Sequence, residues 1–174
     1  MICFARVSCD GGPANERAAS VRLLVLDVDG VLTDGRLYFS ARGEEMKSFH
    51  VRDGSALVRL LAAGVQVAVI SGRQSRAVEH RMSELGISWL RQGVTDKLQT
   101  LQQLLNLAGL GPQGIACVGD DLPDLPLLEF AGLGSAVADA HPELRKRAHY
   151  VTHAAGGCGA VGEVCDLILS AARL

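Results

Sequence analysis

The chain has 174 residues, 48% of them hydrophobic and 21% charged, with 20 glycines; this composition suits one globular domain and excludes wholesale disorder. Seventeen Lys and Arg against 19 Asp and Glu leave a formal charge of −2, which gives no broad footprint for nucleic acid or an anionic membrane but allows a local basic pocket. The apolar runs, broken by glycine or charge, are too short to span a bilayer.

Residues 1–20 mix Cys3, Arg6, Cys9, Gly11, Gly12, Pro13 and Glu16 without a charged start leading into an apolar core, so they read as a disordered leader and 21–174 as the folded domain. Residues 21–26 (VRLLVL) run nearly unbroken to Asp27, the pattern of a strand buried on both faces of a parallel sheet. Residues 36–51 then give two β-rich pieces around Ala41, Arg42 and Gly43, a hairpin with a glycine turn. Helical spacing follows over 54–63, with Leu57, Leu60 and Leu61 on one face, and over 75–85, with Val78, Met82 and Leu85. Between them 65–70 (VQVAVI) reads as a second buried strand ending at Ser71 and Gly72.

A short strand over 88–90 precedes Arg91 and Gln92, and a leucine-rich helix over 96–108 is closed by Gly109. Residues 115–118 (IACV) form a further strand running into Gly119 and Asp120, and helices are expected over 123–130 and 160–172. No repeat, low-complexity tract or long linker divides the chain. Strands alternating with helices imply an α/β fold, a doubly wound parallel sheet, with the hairpin as an insertion after strand 1.

Such sheets bind ligands beyond the carboxyl ends of their strands. Asp27, Asp29, Ser71, Gly72, Asp120 and Asp121 fall at that edge, with Lys97 expected near it. Asp-x-Asp-Gly alone is the composition of a turn, and a lysine at a helix start is ordinarily solvated. Carboxylates, a hydroxyl and a lysine ending four segments of one sheet form a less ordinary set. Crowded carboxylates at Asp27-Val28-Asp29 need a cation. Magnesium is the simplest candidate, held by Asp27, Asp120 and the main-chain carbonyl of Asp29. Ser71 can cap a helix and bind phosphate at once.

Leu26-Asp27-Val28-Asp29-Gly30-Val31-Leu32-Thr33-Asp34-Gly35 resembles the first motif of the haloacid dehalogenase superfamily of phosphohydrolases; Ile70-Ser71-Gly72-Arg73 resembles the second, Lys97 the third and Val118-Gly119-Asp120-Asp121-Leu122-Pro123-Asp124 the fourth. His50-Val51-Arg52-Asp53-Gly54, Ala136-Val137-Ala138-Asp139-Ala140-His141-Pro142 and Ala155-Gly156-Gly157 are similar to segments of the 3-deoxy-D-manno-octulosonate 8-phosphate phosphatases, small members with a hairpin and no cap domain. The resemblance implies hydrolysis of that sugar acid phosphate, a step towards the sugar acid of lipopolysaccharide.

In that reading Asp27 attacks phosphorus, and Asp29 protonates the leaving sugar oxygen and then deprotonates water. Ser71 and Lys97 hold phosphoryl oxygens, and Asp120 ligates magnesium. Asp121 and Asp124 orient the metal's water shell or the substrate, or cap the next helix. Arg73 and Arg81, eight residues apart on an expected helix, could both reach the substrate carboxylate. His50, Val51, Arg52, Asp53, Gly54 and Gly72 complete the substrate side by resemblance.

Four other features bear on function. His50 and Cys158 stand where members of the resembled family carry asparagine and arginine, whereas Arg73 favours the eight-carbon substrate over a nine-carbon sugar acid 9-phosphate. A phosphorylated signalling receiver is disfavoured by segment order, since Lys97 precedes Asp120 and Asp121; a non-catalytic module of the same fold is disfavoured by the intact Asp27, Asp29, Lys97 and Asp120. Five cysteines, Cys3, Cys9, Cys117, Cys158 and Cys165, lack zinc spacing and suit reduced thiols in a cytoplasm. Leu37, Tyr38, Phe39, Met46 and Phe49 give the hairpin an apolar surface with no cap domain to cover it, so burial of part of it by another subunit is expected, and the resemblance implies a homotetramer.

Overall fold

A computed structural model describes residues 13–43 and 45–172. The expected leader is corrected where it is described: Pro13–Ala18 is a helix (α1). Ala18 is fully buried, and the Arg17 guanidinium donates to the Gly132 carbonyl at 2.8 Å. Ala14 and Ala18 pack on the core from one side of a polar stretch, a stripe too short to stand out as an apolar segment. The rest of the leader, with Cys3 and Cys9, lies outside the described residues.

The sheet is built from β1 (Leu23–Leu26), β4 (Gln66–Ile70), β5 (Trp89–Arg91), β6 (Ile115–Gly119), β7 (Leu133–Ala136) and β8 (Tyr150–Val151). They lie in the order β5-β4-β1-β6-β7-β8, and every pairing is parallel. All four β1 residues are buried, as expected for a strand with neighbours on both edges and helices on both faces. From β1 the chain builds outwards through β4 and β5, then returns to the other side of β1 for β6, β7 and β8. β1 is therefore the switch point of the sheet.

The helices are α2 (Val51–Ala62), α3 (Arg76–Glu84), α4 (Lys97–Ala108), α5 (Leu125–Phe130), α6 (Pro142–Arg147) and α7 (Ala160–Ala171). α2 and α7 pack together with α1, whereas α4 packs on α5 and α5 on α6. Right-handed crossovers in opposite directions from β1 put the two groups on opposite faces. α4 has both expected ends: the Asp96 carboxylate accepts from the Gln99 N–H at 2.9 Å, and Gly109 closes the helix in the left-handed region at φ 65°. None of these helices is long and apolar enough to cross a membrane.

Periodicity located α2, α3, α4 and α7 to within a few residues, but it missed β7, α6 and β8. β7 reads Leu-Gly-Ser-Ala, without the β-branched run that marks a strand. Its small residues have a packing cause: a Cβ on Gly134 would run into the Leu128 carbonyl of α5. The expected helix over 123–130 is instead a 3-10 turn, Leu122–Asp124, followed by α5.

The hairpin is present after β1 as β2 (Tyr38–Phe39) and β3 (Glu45–Met46), paired antiparallel. Leu37, Tyr38, Phe39 and Met46 are exposed as expected. Phe49 is a correction, because it is partly buried against the core of its own chain. It lies beyond β3, where the chain turns back towards α2.

Candidate active site

Asp27 follows β1, Ser71 and Gly72 follow β4, and Asp120 follows β6. Because β1 lies between the other two strands, their ends converge on one cavity of about 610 Å³. Its walls include Asp27, Asp29, Ser71, Gly72, Arg73, Lys97, Asp120, Asp121 and Asp124. Much of the expected constellation is therefore brought together by topology alone.

Lys97, the first residue of α4, reaches across to Asp27 Oδ1 at 2.8 Å and Asp124 Oδ1 at 2.6 Å. Its side chain is 9% exposed, so this is a desolvated cation between two carboxylates. The other oxygen of Asp124 accepts the N–H of Asp120 at 3.1 Å and of Asp121 at 3.5 Å. Asp121 Oδ1 accepts from the Leu122 N–H at 2.8 Å, and a capping box closes the 3-10 turn, the Asp121 side chain taking the Asp124 N–H and the Asp124 carboxylate taking the Asp121 N–H. Asp124 thus does more than cap: it fixes Lys97 with one oxygen and the Asp120 loop with the other.

Asp27, Asp120 and Asp124 can each place a carboxylate oxygen within 4.8 Å of the others. Burial, followed by the charges of Asp124, Asp27 and Asp121, pushes the Asp120 carboxyl up to about 8. Burial and Asp124 push Asp27 up to about 6 against the pull of Lys97. Lys97 alone therefore leaves this cluster short of positive charge, and a hard divalent cation with oxygen ligands fits the donor set. Gly30, at φ 92°, lets the loop after β1 close on this cluster, since a Cβ there would occupy the place of the Asp120 carboxylate.

The Asp29 carboxylate is not the third member of this triad. It pairs with Lys47 and lies 3.6 Å from Arg73 Nε. The side-chain triad is completed by Asp124, which is nearly buried and lies on the segment after β6. Ser71 is buried, and its hydroxyl accepts from the Arg73 N–H at 3.3 Å. The residue preceding α3 is Ser75, so Ser71 is free of the helix-capping duty considered for it.

Arg81 is not brought to the cavity. Arg73 lies in the loop before α3, so the two-turn spacing along one helix does not connect the two arginines. Arg81 pairs with Glu84 at 2.7 Å, packs over Gly54 and lines a separate groove with Val51 and Val58. His50 to Gly54 also stay outside the cavity walls within one chain. His50 precedes α2 with its Nδ1 buried and unpartnered among the described residues, and Asp53 Oδ1 accepts the Gly162 N–H at 2.7 Å, tying α2 to α7. Burial holds the Asp53 carboxyl above the usual carboxylate range. Arg52 lines another groove beside Cys158.

Two hairpin residues escaped sequence reasoning. Lys47 is only 2% exposed at its side chain and contacts Asp29, while Glu45 takes the Arg73 guanidinium at 2.8 Å. Alternating charge in a hairpin ordinarily marks a solvated face, and nothing local distinguishes a lysine that folds inwards.

The chain matches a family model described as haloacid dehalogenase-like hydrolase over residues 90–164. It is 50% identical over 169 residues to the 3-deoxy-D-manno-octulosonate 8-phosphate phosphatase KdsC of Escherichia coli, covering 97% of this chain and 88% of that protein. The crystal structure of the phosphatase of that name from Yersinia pestis superposes with a TM-score of 0.91 at 48% identity, covering 92% of this chain and 87% of the other. A Moraxella catarrhalis phosphatase of the same name, in complex with magnesium ion, phosphate ion and KDO, superposes with a TM-score of 0.90 at 41% identity, covering 92% of both chains. With an acidic cavity at the switch point, a hairpin after β1 and this likeness along nearly its whole length, the chain belongs to the 3-deoxy-D-manno-octulosonate 8-phosphate phosphatases of the haloacid dehalogenase-like hydrolases.

Proposed function

We propose that this chain is a magnesium-dependent phosphatase that converts 3-deoxy-D-manno-octulosonate 8-phosphate to the free sugar acid and phosphate. The observation that carries the reading is the Asp27–Lys97–Asp124 cluster beside Asp120 in a single cavity. Asp27 is the nucleophile: its carboxylate bonds to phosphorus as the bond from phosphorus to the sugar oxygen breaks. Asp29 gives its proton to that sugar oxygen, then takes a proton from the water that attacks the aspartyl phosphate and releases phosphate. Lys97 and Ser71 meet the transferring phosphoryl oxygens. Asp27, Asp120 and the Asp29 carbonyl would hold magnesium, with Asp124 beside them, and the ion supplies charge neutralisation and alignment of the phosphoryl group.

Arg73 is 44% exposed at its side chain and lies on the cavity wall, which supports its assignment to the sugar acid carboxylate. Phosphate release from a panel tests the reading: the eight-carbon sugar acid phosphate, a nine-carbon 9-phosphate and an aryl phosphate, each with magnesium and with excess chelator. The eight-carbon substrate is expected to give the highest kcat/KM, and chelation is expected to abolish all turnover. Equal rates on all three would remove the sugar acid from the proposal, and full activity in chelator would remove the metal.

The exposed Leu37, Tyr38, Phe39 and Met46 support a homotetramer in which hairpins cover one another, since a two-stranded hairpin is marginal alone. His50 to Gly54, outside the cavity within one chain, would then complete a neighbour's site. Phe39→Asp is expected to lower the mass seen by light scattering and to reduce turnover with it. A wild-type protein with the mass of one chain at micromolar concentration and full activity would refute the assembly. Free thiols at Cys117, Cys158 and Cys165 suit a reducing compartment such as the cytoplasm.

A further inference from the structure

The base of the hairpin is tied to the cavity by four charged groups arranged as a ring. Lys47 contacts the carboxylates of both Asp29 and Glu45, the latter at 3.6 Å. Arg73 contacts the same two carboxylates, at 3.6 Å from Asp29 and 2.8 Å from Glu45. Each cation thus touches both anions. Two members, Glu45 and Lys47, come from the hairpin; the other two follow β1 and β4.

The four charges sum to zero, so the ring can be buried without leaving an unpaired ion. Lys47 is its most enclosed member, at 2% side-chain exposure against 44% for Arg73. An ammonium on a flexible stem is costly to immobilise out of water. Among the described residues its ion pairs are with one carboxylate of the cavity and one that also holds the arginine.

We propose that Lys47 is a positioning residue for hydrolysis, holding the Asp29 carboxylate in place for proton transfer, and that Glu45 does the same for Arg73. The hairpin is then part of its own subunit's site, whatever its tip covers elsewhere. This inference rests on the assignment of Asp29 as acid and base and of Arg73 to the substrate carboxylate. Lys47 contacts the Asp29 carboxylate but is not among the residues lining the cavity. Its effect passes through Asp29, where a displacement of about 1 Å is enough to cost about 10²-fold in rate.

The two halves of the ring predict different kinetic signatures. Lys47→Met is expected to lower kcat by about 10²-fold on both the sugar acid phosphate and an aryl phosphate, because both need a proton delivered or removed. KM and the thermal shift caused by magnesium are expected to stay within about threefold and a few degrees of wild type. Lys47→Arg, which keeps a cation at the ring, is expected to recover most of the loss. Glu45→Gln is expected to raise KM for the sugar acid phosphate about tenfold and KM for the aryl phosphate far less, because only the former presents a carboxylate to Arg73.

Wild-type kcat in a folded Lys47→Met protein would overturn the proposal. So would loss of the magnesium shift together with activity, since that marks collapse of the site. If Lys47→Met does not fold, Glu45→Gln decides: equal KM changes on both substrates would refute the positioning of Arg73. Aryl phosphate turnover keeps the Lys47 test readable even if the sugar acid proves to be the wrong substrate.

Discussion

Asp27→Asn is expected to lower phosphate release by about 10⁴-fold or more while leaving the fold intact. The amide preserves the shape of the side chain but cannot form the acyl phosphate, and it weakens one ligand of the acidic triad. The structure adds a second, less obvious expectation. Burial and Asp124 already penalise the charged form of Asp27, whose carboxyl is pushed up to about 6. Neutralising it relieves that penalty, and Lys97 retains Asp124 as a partner at 2.6 Å. In the absence of divalent ions the inactive variant should therefore melt at the same temperature as wild type or higher. Steady-state kinetics with a thermal melt check both halves, and residual turnover near wild type would exclude Asp27 as the nucleophile.

Lys97→Met should be the opposite kind of loss, with activity and stability falling together. The lysine bridges Asp27 and Asp124 from a nearly buried position, so its removal leaves two desolvated carboxylates facing one another. Breaking a buried pair of this kind costs about 3 kcal/mol or more, and the phosphoryl oxygens lose their fixed cation, worth about 10³-fold in rate.

The pH dependence carries a definite sign. Asp27 and Asp120 titrate higher in the folded chain, about 6 and about 8, than the ordinary carboxyl value of 3.8. Protonation of these groups favours the folded state. Their contribution is fully present below about pH 4 and is lost as pH rises through those two values. The metal-free melting temperature should therefore fall between pH 5 and 8, more steeply in Lys97→Met, and the gain from magnesium should be larger at pH 8 than at pH 5. A metal-free melting temperature that rises over this interval would contradict the charge imbalance in the cluster.

How legible this was from residues alone depended on whether the signal was local. A run such as Leu23 to Leu26 followed by Asp27 carries its own evidence for a buried strand and a polar end, and the same holds for Ile115 to Gly119 before Asp120. Once strands were ordered around β1, the meeting of Asp27, Ser71 and Asp120 followed from topology. Pairings made across the fold left no such trace. Asp124 resembles a helix cap until Lys97 is seen on its other oxygen, and Lys47 resembles a solvated hairpin charge until Asp29 is seen beside it. Arg81 lies outside the cavity of its own chain for a related reason. Its eight-residue spacing from Arg73 implied a shared face only if both lay on the helix, and α3 begins after Arg73.

The central position of β1 also has a consequence for how the chain is made. Leu23 to Leu26 leave the ribosome first among the sheet strands, yet both of their neighbours are encoded later: Gln66 to Val69 on one edge and Ile115 to Val118 on the other. One edge of this apolar strand therefore waits for β4 and the other for the later β6, and parallel pairing of such separated segments is slow to form. Until Ile115 to Val118 emerge, the nascent chain exposes a sticky ribbon and has no complete phosphate site, because Asp120 and Asp124 have yet to be translated. Premature termination before that point would yield a fragment with one edge of β1 unpaired and without the carboxylates of Asp120 and Asp124, so no shorter N-terminal piece of this chain carries a complete site.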